Sequence, residues 1–369
     1  EIYLFELRAE HGTFTLDHPR NISDNPGYDN QPFFYNDTLV LFSSASQNQT
    51  DIAGYSIPNH TVSRLTDTPG SEYSPTKIPG KKELSAIRLD KDGKQLLYRY
   101  NLKNGSSKPI FEDLVIGYHT WFTKDIIVAF VLGESSSLVV SDLKKKTRYT
   151  VQKNIGRSLH RIPGTRLISY ISKEHQTWEI RSLDPVSGAT EKIINTLPEA
   201  EDLCWLGNGT ILMGKGQDLY AYTPGKDSDW KRVKTFTDSA IYNITRLAVN
   251  STDTLLALVA EASPEVALQR HLDACNKRDI NTLMNVYADT VKVYNFPDAL
   301  LYEGKEQLKK YYEALFRTAP DLHCELKNRI VTGNTIIAEE WRTTNGRTVH
   351  TVAVYEITNG KIAKVTFIQ

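Results

Sequence analysis

The chain has 369 residues, with 44 basic residues balanced by 44 acidic ones and only three cysteines. That length suits two or three domains, the charge balance gives no reason to expect a nucleic-acid partner, and no apolar run nears the roughly 18 residues of a membrane span. Cys204, Cys275 and Cys324 make no disulfide framework and read as small buried thiols. The sequence begins at Glu1, without Met and already in a strand-like pattern, which reads as a mature chain whose targeting segment has been removed. The corresponding expectation is a secreted or periplasmic protein.

Residues 2–7 and 13–16 form two strand patterns at the start. Next comes Asn25-Pro26-Gly27-Tyr28-Asp29-Asn30-Gln31-Pro32, a Pro-Gly turn followed by polar and aromatic residues. It returns as Thr68-Pro69-Gly70-Ser71-Glu72-Tyr73-Ser74-Pro75, and weaker echoes begin at Ile116, Ile155, Glu199 and Ala240. The period of roughly 40–46 residues is that of a four-stranded propeller blade. Within each repeat a short polar turn separates strand patterns, for example Asn36-Asp37, Lys91-Asp92-Gly93-Lys94 and Asn208-Gly209. The last repeat, residues 245–259, has only two strands, and the two spare strands at the N-terminus complete it. The expected fold class is therefore multidomain: an all-β six-bladed propeller over residues 1–261, then a different domain over 262–369. Closing the ring removes an exposed sheet edge.

The first part resembles the TolB-like, WD40-like (PD40) propeller family. Arg64-Leu65-Thr66-Asp67-Thr68-Pro69-Gly70 before Tyr73-Ser74-Pro75 carries the resemblance, with Arg246-Leu247-Ala248-Val249-Asn250-Ser251-Thr252-Asp253. The repeated openings are expected to converge at one mouth of the central channel. They would bring together Tyr28, Asp29, Glu72, Tyr73, Tyr118, His119, His160, Glu201, Asp202, Tyr242 and Asn243, a mixture suited to a peptide, protein or glycan partner. No local metal-ligand spacing occurs among them, so neither a metal nor a cofactor is expected. No Gly-x-Ser-x-Gly elbow is present, which excludes a fused α/β-hydrolase.

At residue 262 the pattern changes. Ser263-Pro264-Glu265 is a helix start, and Leu268, His271, Leu272 and Cys275 share one helical face. A second helix begins at Asp279, a strand covers 291–296, and a third helix carries Leu308, Tyr311, Tyr312, Leu315 and Phe316. Strand patterns at 323–331, 335–343, 347–357 and 361–368 finish the chain. Three helices before an antiparallel sheet read as an α+β cone.

This half resembles the NTF2-like superfamily, specifically SnoaL-like and ketosteroid-isomerase-like domains. The resemblance rests on Asn276-Lys277-Arg278-Asp279, Val286-Tyr287-Ala288-Asp289, Tyr302-Glu303-Gly304-Lys305-Glu306 and the run from Val354 to Ile362. It implies a carboxylate base, a tyrosine and a protonated acid, but those positions hold Asn295, His271 and Ala353. Expected cone-pocket residues are His271, Tyr294, Asn295, Phe296, Tyr312, Trp341, His350 and Tyr355. The resemblance further suggests a homodimer through the sheet. The favoured expectation is a non-catalytic binding or scaffolding protein, with a partner at the propeller mouth and a small apolar molecule in the cone. The alternatives are a SnoaL-like isomerase acting on a small carbonyl compound and a metal-dependent propeller hydrolase or lactonase.

Overall fold

The computed structural model describes residues 1–10, 13–23, 25, 28–46 and 49–368. Pro26 and Gly27 of the first repeated opening lie outside the described residues. The chain is mostly β and divides into two compact units, one of residues 1–236 and 243–260, the other of residues 237–242 and 261–369.

The first unit is built from four-stranded antiparallel sheets in chain order. Sheet A holds Asp29–Asn36, Leu39–Ser46, Gln49–Ser56 and Thr61–Arg64. Sheets B, C, D and E begin at Ser71–Lys77, Ile116–Trp121, His160–Arg161 and Leu203–Trp205. Sheet F is composite. It orders Thr13–Asn21, Ile2–Glu10, Leu255–Glu261 and Asn243–Val249, so the first strand of the chain lies beside a late one. Ile2 pairs with Val259 and Phe5 with Leu256.

The first strands of successive sheets are neighbours from A through E to Asn243–Val249 of sheet F, which in turn neighbours the first strand of sheet A. Apolar layers lie between sheets. Ile2, Leu4, Ala257 and Val259 pack on Val40, Phe42 and Tyr55 between F and A. Leu41 and Ile52 meet Leu84 and Tyr98 between A and B. Similar layers join B to C, C to D and D to E. Between E and F, Phe5 meets Phe236 with ring centroids 5.5 Å apart. Ile244 packs so closely over Gly214 that any Cβ there would overlap its side chain.

The sheets are also joined by polar pins. Trp121 donates its indole N–H to Ser85 Oγ at 2.9 Å, from sheet C to sheet B. Trp205 repeats this to Ser169 at 2.8 Å, from E to D. Each bond satisfies an indole that the apolar layers would otherwise strand.

In the second unit, α1 (Pro264–Lys277) is capped by Ser263, whose hydroxyl accepts from Glu265 N. The helix α2 (Ile280–Val286) is capped by Asp279, accepting from Asn281 N and Thr282 N. The helix α3 (Lys305–Thr318) follows a two-stranded segment. The six-stranded sheet orders Ala299–Glu303, Tyr287–Asn295, Lys361–Ile368, Arg347–Thr358, Thr335–Thr344 and His323–Thr332. All pairs are antiparallel except Tyr287–Asn295 with Lys361–Ile368. Leu268, Leu272 and Leu308 pack with Ile336, Ala338, Ala353 and Val365, which places one sheet face under the helices.

Phe5 is 3 % exposed at the centre of the composite sheet. Phe5→Ala should therefore cost about 3–5 kcal/mol, read as a lowered urea midpoint in the unfolding of the full chain.

Candidate functional site

In the first unit a cavity of about 550 Å³ is lined by the first strands of all six sheets. Four of the expected mouth residues line it: Tyr118, His119, His160 and Asp202. Its charged centre is a cluster around Asp202. Arg157 Nε donates to Asp202 Oδ2 at 3.0 Å, and Arg246 Nη1 donates to Oδ1 at 2.8 Å. Arg246 Nη2 also donates to the Tyr118 hydroxyl at 3.2 Å. Burial works against the charge on Arg157, but Asp202 more than compensates and holds its pKa above the ordinary value. A second cavity, of about 310 Å³, shares Arg157, Asp202 and Arg246 with the first and adds Glu201 and Asn243. Glu201 Oε1 accepts from Arg157 N at 2.8 Å and pairs with Lys173 at 3.0 Å.

Both histidines of the cavity have lowered pKa values. His119 is buried, and burial pushes its pKa down to about 3. Its Nε2 meets Thr76 Oγ1 at 2.7 Å and Ser85 Oγ at 2.8 Å. Burial and the Arg246 charge push His160 down to about 4, and its Nε2 meets Ser158 Oγ at 2.9 Å. Among the described residues no group of three His, Cys, Asp or Glu side chains is placed to hold a metal ion.

The remaining mouth candidates are elsewhere. Glu72 is fully buried and accepts from Thr66, Thr68 and Tyr100, so it ties sheet strands together rather than facing the cavity. Burial lifts its pKa to about 7, with the Thr68 hydrogen bond opposing. Asp29 is buried and accepts from Asn25 Nδ2 at 3.2 Å. Tyr73 packs against the layer between sheets B and C. Tyr28 is exposed and meets Tyr73 edge-on with ring centroids 6.5 Å apart. Tyr242 belongs to the second unit. The first strands of A, B and C each slip register at their opening, between Asn30 and Phe33, Tyr73 and Thr76, and Ile116 and Tyr118. Each slip resets which residue faces the cavity. The arginines were missed because they are not aromatic or acidic members of the repeated opening. Arg157 and Arg246 were nonetheless visible, one repeat on either side of Asp202.

The second unit holds a pocket of about 130 Å³ under α3. Its polar lining is Asn295, Arg342, Thr351 and the phenols of Tyr287, Tyr302, Tyr311 and Tyr312. Of the expected cone residues, Asn295 and Tyr312 line it. Behind this wall His271 Nδ1 hydrogen-bonds the Tyr287 hydroxyl at 3.1 Å, and Tyr287 meets Tyr312 at 3.3 Å. Burial pushes His271 down to about 4. Tyr355 is buried and donates to Glu340 Oε1 at 2.8 Å. Glu340 is a buried carboxyl that the sequence reading overlooked; burial raises its pKa, against the Tyr355 hydrogen bond and the Arg342 charge. The clue was its alternation with Ile336, Ala338 and Arg342.

That alternation also corrects four expectations. Trp341 and His350 pair across strands on the face opposite Glu340 and Thr351, stacked with centroids 4.4 Å apart. Tyr294 alternates with inward Val293 and lies under Lys364 on that same outer face. Phe296 is 64 % exposed.

Residues 268–365 match the model of the SnoaL-like domain. Several solved structures are similar to it. One is an uncharacterized cystatin-fold protein from Novosphingobium aromaticivorans, 24 % identical over 29 % of this chain and 98 % of that one, with a TM-score of 0.28. A putative ketosteroid isomerase from Kribbella flavida is 15 % identical over 28 % and 76 %, with a TM-score of 0.26. A putative polyketide cyclase from Sinorhizobium meliloti is 19 % identical over 28 % and 93 %, with a TM-score of 0.24. No curated protein matches the chain.

The buried titratable groups act on stability in opposite senses. For His271 the pKa falls from 6.5 to about 4 on folding, so the unfolded chain binds the extra proton. Its stabilisation is complete above that range and is lost as pH falls through it, about 3 kcal/mol in all. The melting temperature should therefore drop between pH 7 and pH 4, and His271→Asn should flatten the drop. Glu340 has a raised pKa, so its contribution is complete at low pH and is lost as pH rises. Glu340→Gln should accordingly stabilise the protein more at pH 8 than at pH 4, measured by the same melting series.

Proposed function

We propose that the chain is a binding protein in which a six-bladed TolB-like propeller presents its channel to a peptide, protein or glycan partner and an NTF2-like cone holds a small molecule. The closed sequence of neighbouring first strands and the apolar layers between sheets support the propeller reading. The observation that carries the binding role is the cone wall. It offers phenols, an amide, a hydroxyl and one guanidinium, while none of its lining residues is a carboxylate or histidine. Such a wall orients a ligand without supplying a base for proton abstraction.

Size narrows the ligand. A cavity of about 130 Å³ is close to the roughly 150 Å³ engineered cavity that accepts benzene. The aromatic walls and Arg342 fit a single ring bearing a carboxylate or carbonyl group. The exposed Ile330, Ile337 and Ile368 on the outer face of the same sheet support pairing with a second copy.

One observation favours a second reading, a SnoaL-like reaction on a small carbonyl compound. Glu340, with its raised pKa, is the direct cross-strand partner of the pocket-lining Thr351 and lies two positions from Arg342 on its own strand, and a protonated carboxyl there would be a proton donor.

Calorimetry with benzoate and acetophenone separates the readings. Binding should weaken at least tenfold for benzoate in Arg342→Gln, about 1.4 kcal/mol or more, with no deuterium exchange into the acetophenone methyl group. Exchange that disappears in Glu340→Gln would establish catalysis instead, and a pocket that takes neither compound would overturn the small-molecule role.

A further inference from the structure

The Asp202 cluster in the first unit is electrostatically incomplete. Two guanidiniums share one carboxylate: Arg157 through Nε and Nη2 on one oxygen, Arg246 through Nη1 on the other. Glu201 adds a second carboxylate 3.8 Å from Arg157 Nε and Lys173 a third cation at 3.0 Å from Glu201, so three cations face two carboxylates and the group carries one excess positive charge. Arg246 and Asp202 are only 12 % and 11 % exposed at their side chains, so solvent screens that charge poorly. Over the whole 550 Å³ cavity the lining cations Lys77, Arg157, Arg161 and Arg246 face two carboxylates, Asp202 and Asp253. The Asp253 carboxylate is already engaged by Gly207 N at 2.8 Å.

Three residues of the cavity wall keep unpaired polar atoms behind its surface. Arg246 Nε is buried without a hydrogen-bond partner among the described residues, as are His119 Nδ1 and Ser74 Oγ. His119 and Ser74 are 6 % and 9 % exposed, and both line the cavity. Phe33, Phe34 and Leu159 supply an apolar wall beside them.

We infer that the channel is a carboxylate-binding site, in which a peptide-like monoanion with an apolar body docks against Arg246 and Arg157 in partial competition with Asp202. A monoanion neutralises the excess charge of the cluster, whereas a phosphate dianion would overshoot it. The guanidiniums of Arg246 and Arg157 donate to the carboxylate, and Phe33, Phe34 and Leu159 meet the apolar body. The carboxylate has two sources, a peptide C-terminus or an acidic side chain. This inference rests on the propeller reading of the first unit and is independent of the cone pocket.

The test is calorimetry on the full chain with three probes: N-acetyl-phenylalanyl-leucine as the free acid, the same dipeptide as its C-terminal amide, and N-acetyl-phenylalanyl-glutamate amide. At least one acid should bind, and the amide should bind at least tenfold more weakly than it. The preferred acid identifies the source. Arg246→Gln and Arg157→Gln should each weaken binding tenfold or more, while Asp202→Asn should strengthen it severalfold by removing the competitor. Benzoate binding in the cone, followed in each variant, confirms that the remainder of the protein is intact. Equal binding of acid and amide, no binding of any probe, or affinity unchanged by both arginine substitutions would overturn the site. If no probe binds but benzoate still does, the channel inference falls and the cone reading stands. Should the arginine variants fail to fold, the acid–amide comparison on the unaltered protein decides.

Discussion

The pairing of Ile2–Glu10 with Leu255–Glu261 is the constraint on which the first unit depends. Without it Leu255–Glu261 would present a long row of unpaired backbone groups, and Asn243–Val249 would belong to a two-stranded ribbon too small to stand alone. With it, sheet F has the same four strands as the others, and the layer of Ile2, Leu4, Ala257 and Val259 can cover sheet A. The cost is entropic, because the closing contact joins residues more than two hundred positions apart. Loop closure grows only slowly with length, so the apolar layer outweighs it.

The order of neighbouring sheets also sets the chemistry of the cavity. Equivalent positions in neighbouring sheets meet one repeat apart: Thr76 with His119 at a separation of 43, Asp202 with Arg246 at 44 and Arg157 with Asp202 at 45. Thr76, Arg157 and Asp202 therefore each find a partner on the next sheet. A sheet out of place would leave arginines and a carboxylate buried and unpaired, which costs far more than their pairing contributes. The charged centre thus favours one arrangement of sheets over its alternatives.

Strand positions were legible because period-two alternation and turn residues are local properties. The four final strands of the cone begin within the expected patterns, and Ser263 and Asp279 cap the helices they were expected to start. The strand Ala299–Glu303 was not legible, since its residues are largely exposed and show no alternation of burial. Facing direction was the harder property. Glu72 and Asp29 occupy the repeated opening as expected, yet both are buried within their sheets, paired with Arg88 and Ser44. Trp341 and His350 fell to the outer face by a single step of the pleat, the same step that puts Glu340 inside. Arg157, Arg246 and Glu340 share a different obstacle. A charged residue in a strand pattern reads as solvated, and only the tertiary partner reveals that it is buried.

The cone carries its polar groups in two layers, and their order matters. Tyr287 and Tyr312 line the pocket, while His271 lies behind them and is reached only through the Tyr287 hydroxyl. A ligand acceptor that takes the Tyr287 proton in a hydrogen bond leaves His271 Nδ1 to act as the donor to that same oxygen, so the neutral imidazole must present its proton at Nδ1. Burial keeps the imidazole neutral, which makes this a change of tautomer rather than of charge. On the other side, Tyr355 is committed to Glu340 and donates away from the histidine. The two polar pairs therefore differ: the histidine side meets hydrogen-bond acceptors in the pocket and loses its stabilisation as pH falls, while the carboxyl side loses its own as pH rises. A ligand that carries an acceptor would be recognised through the first without moving the charge state of the second.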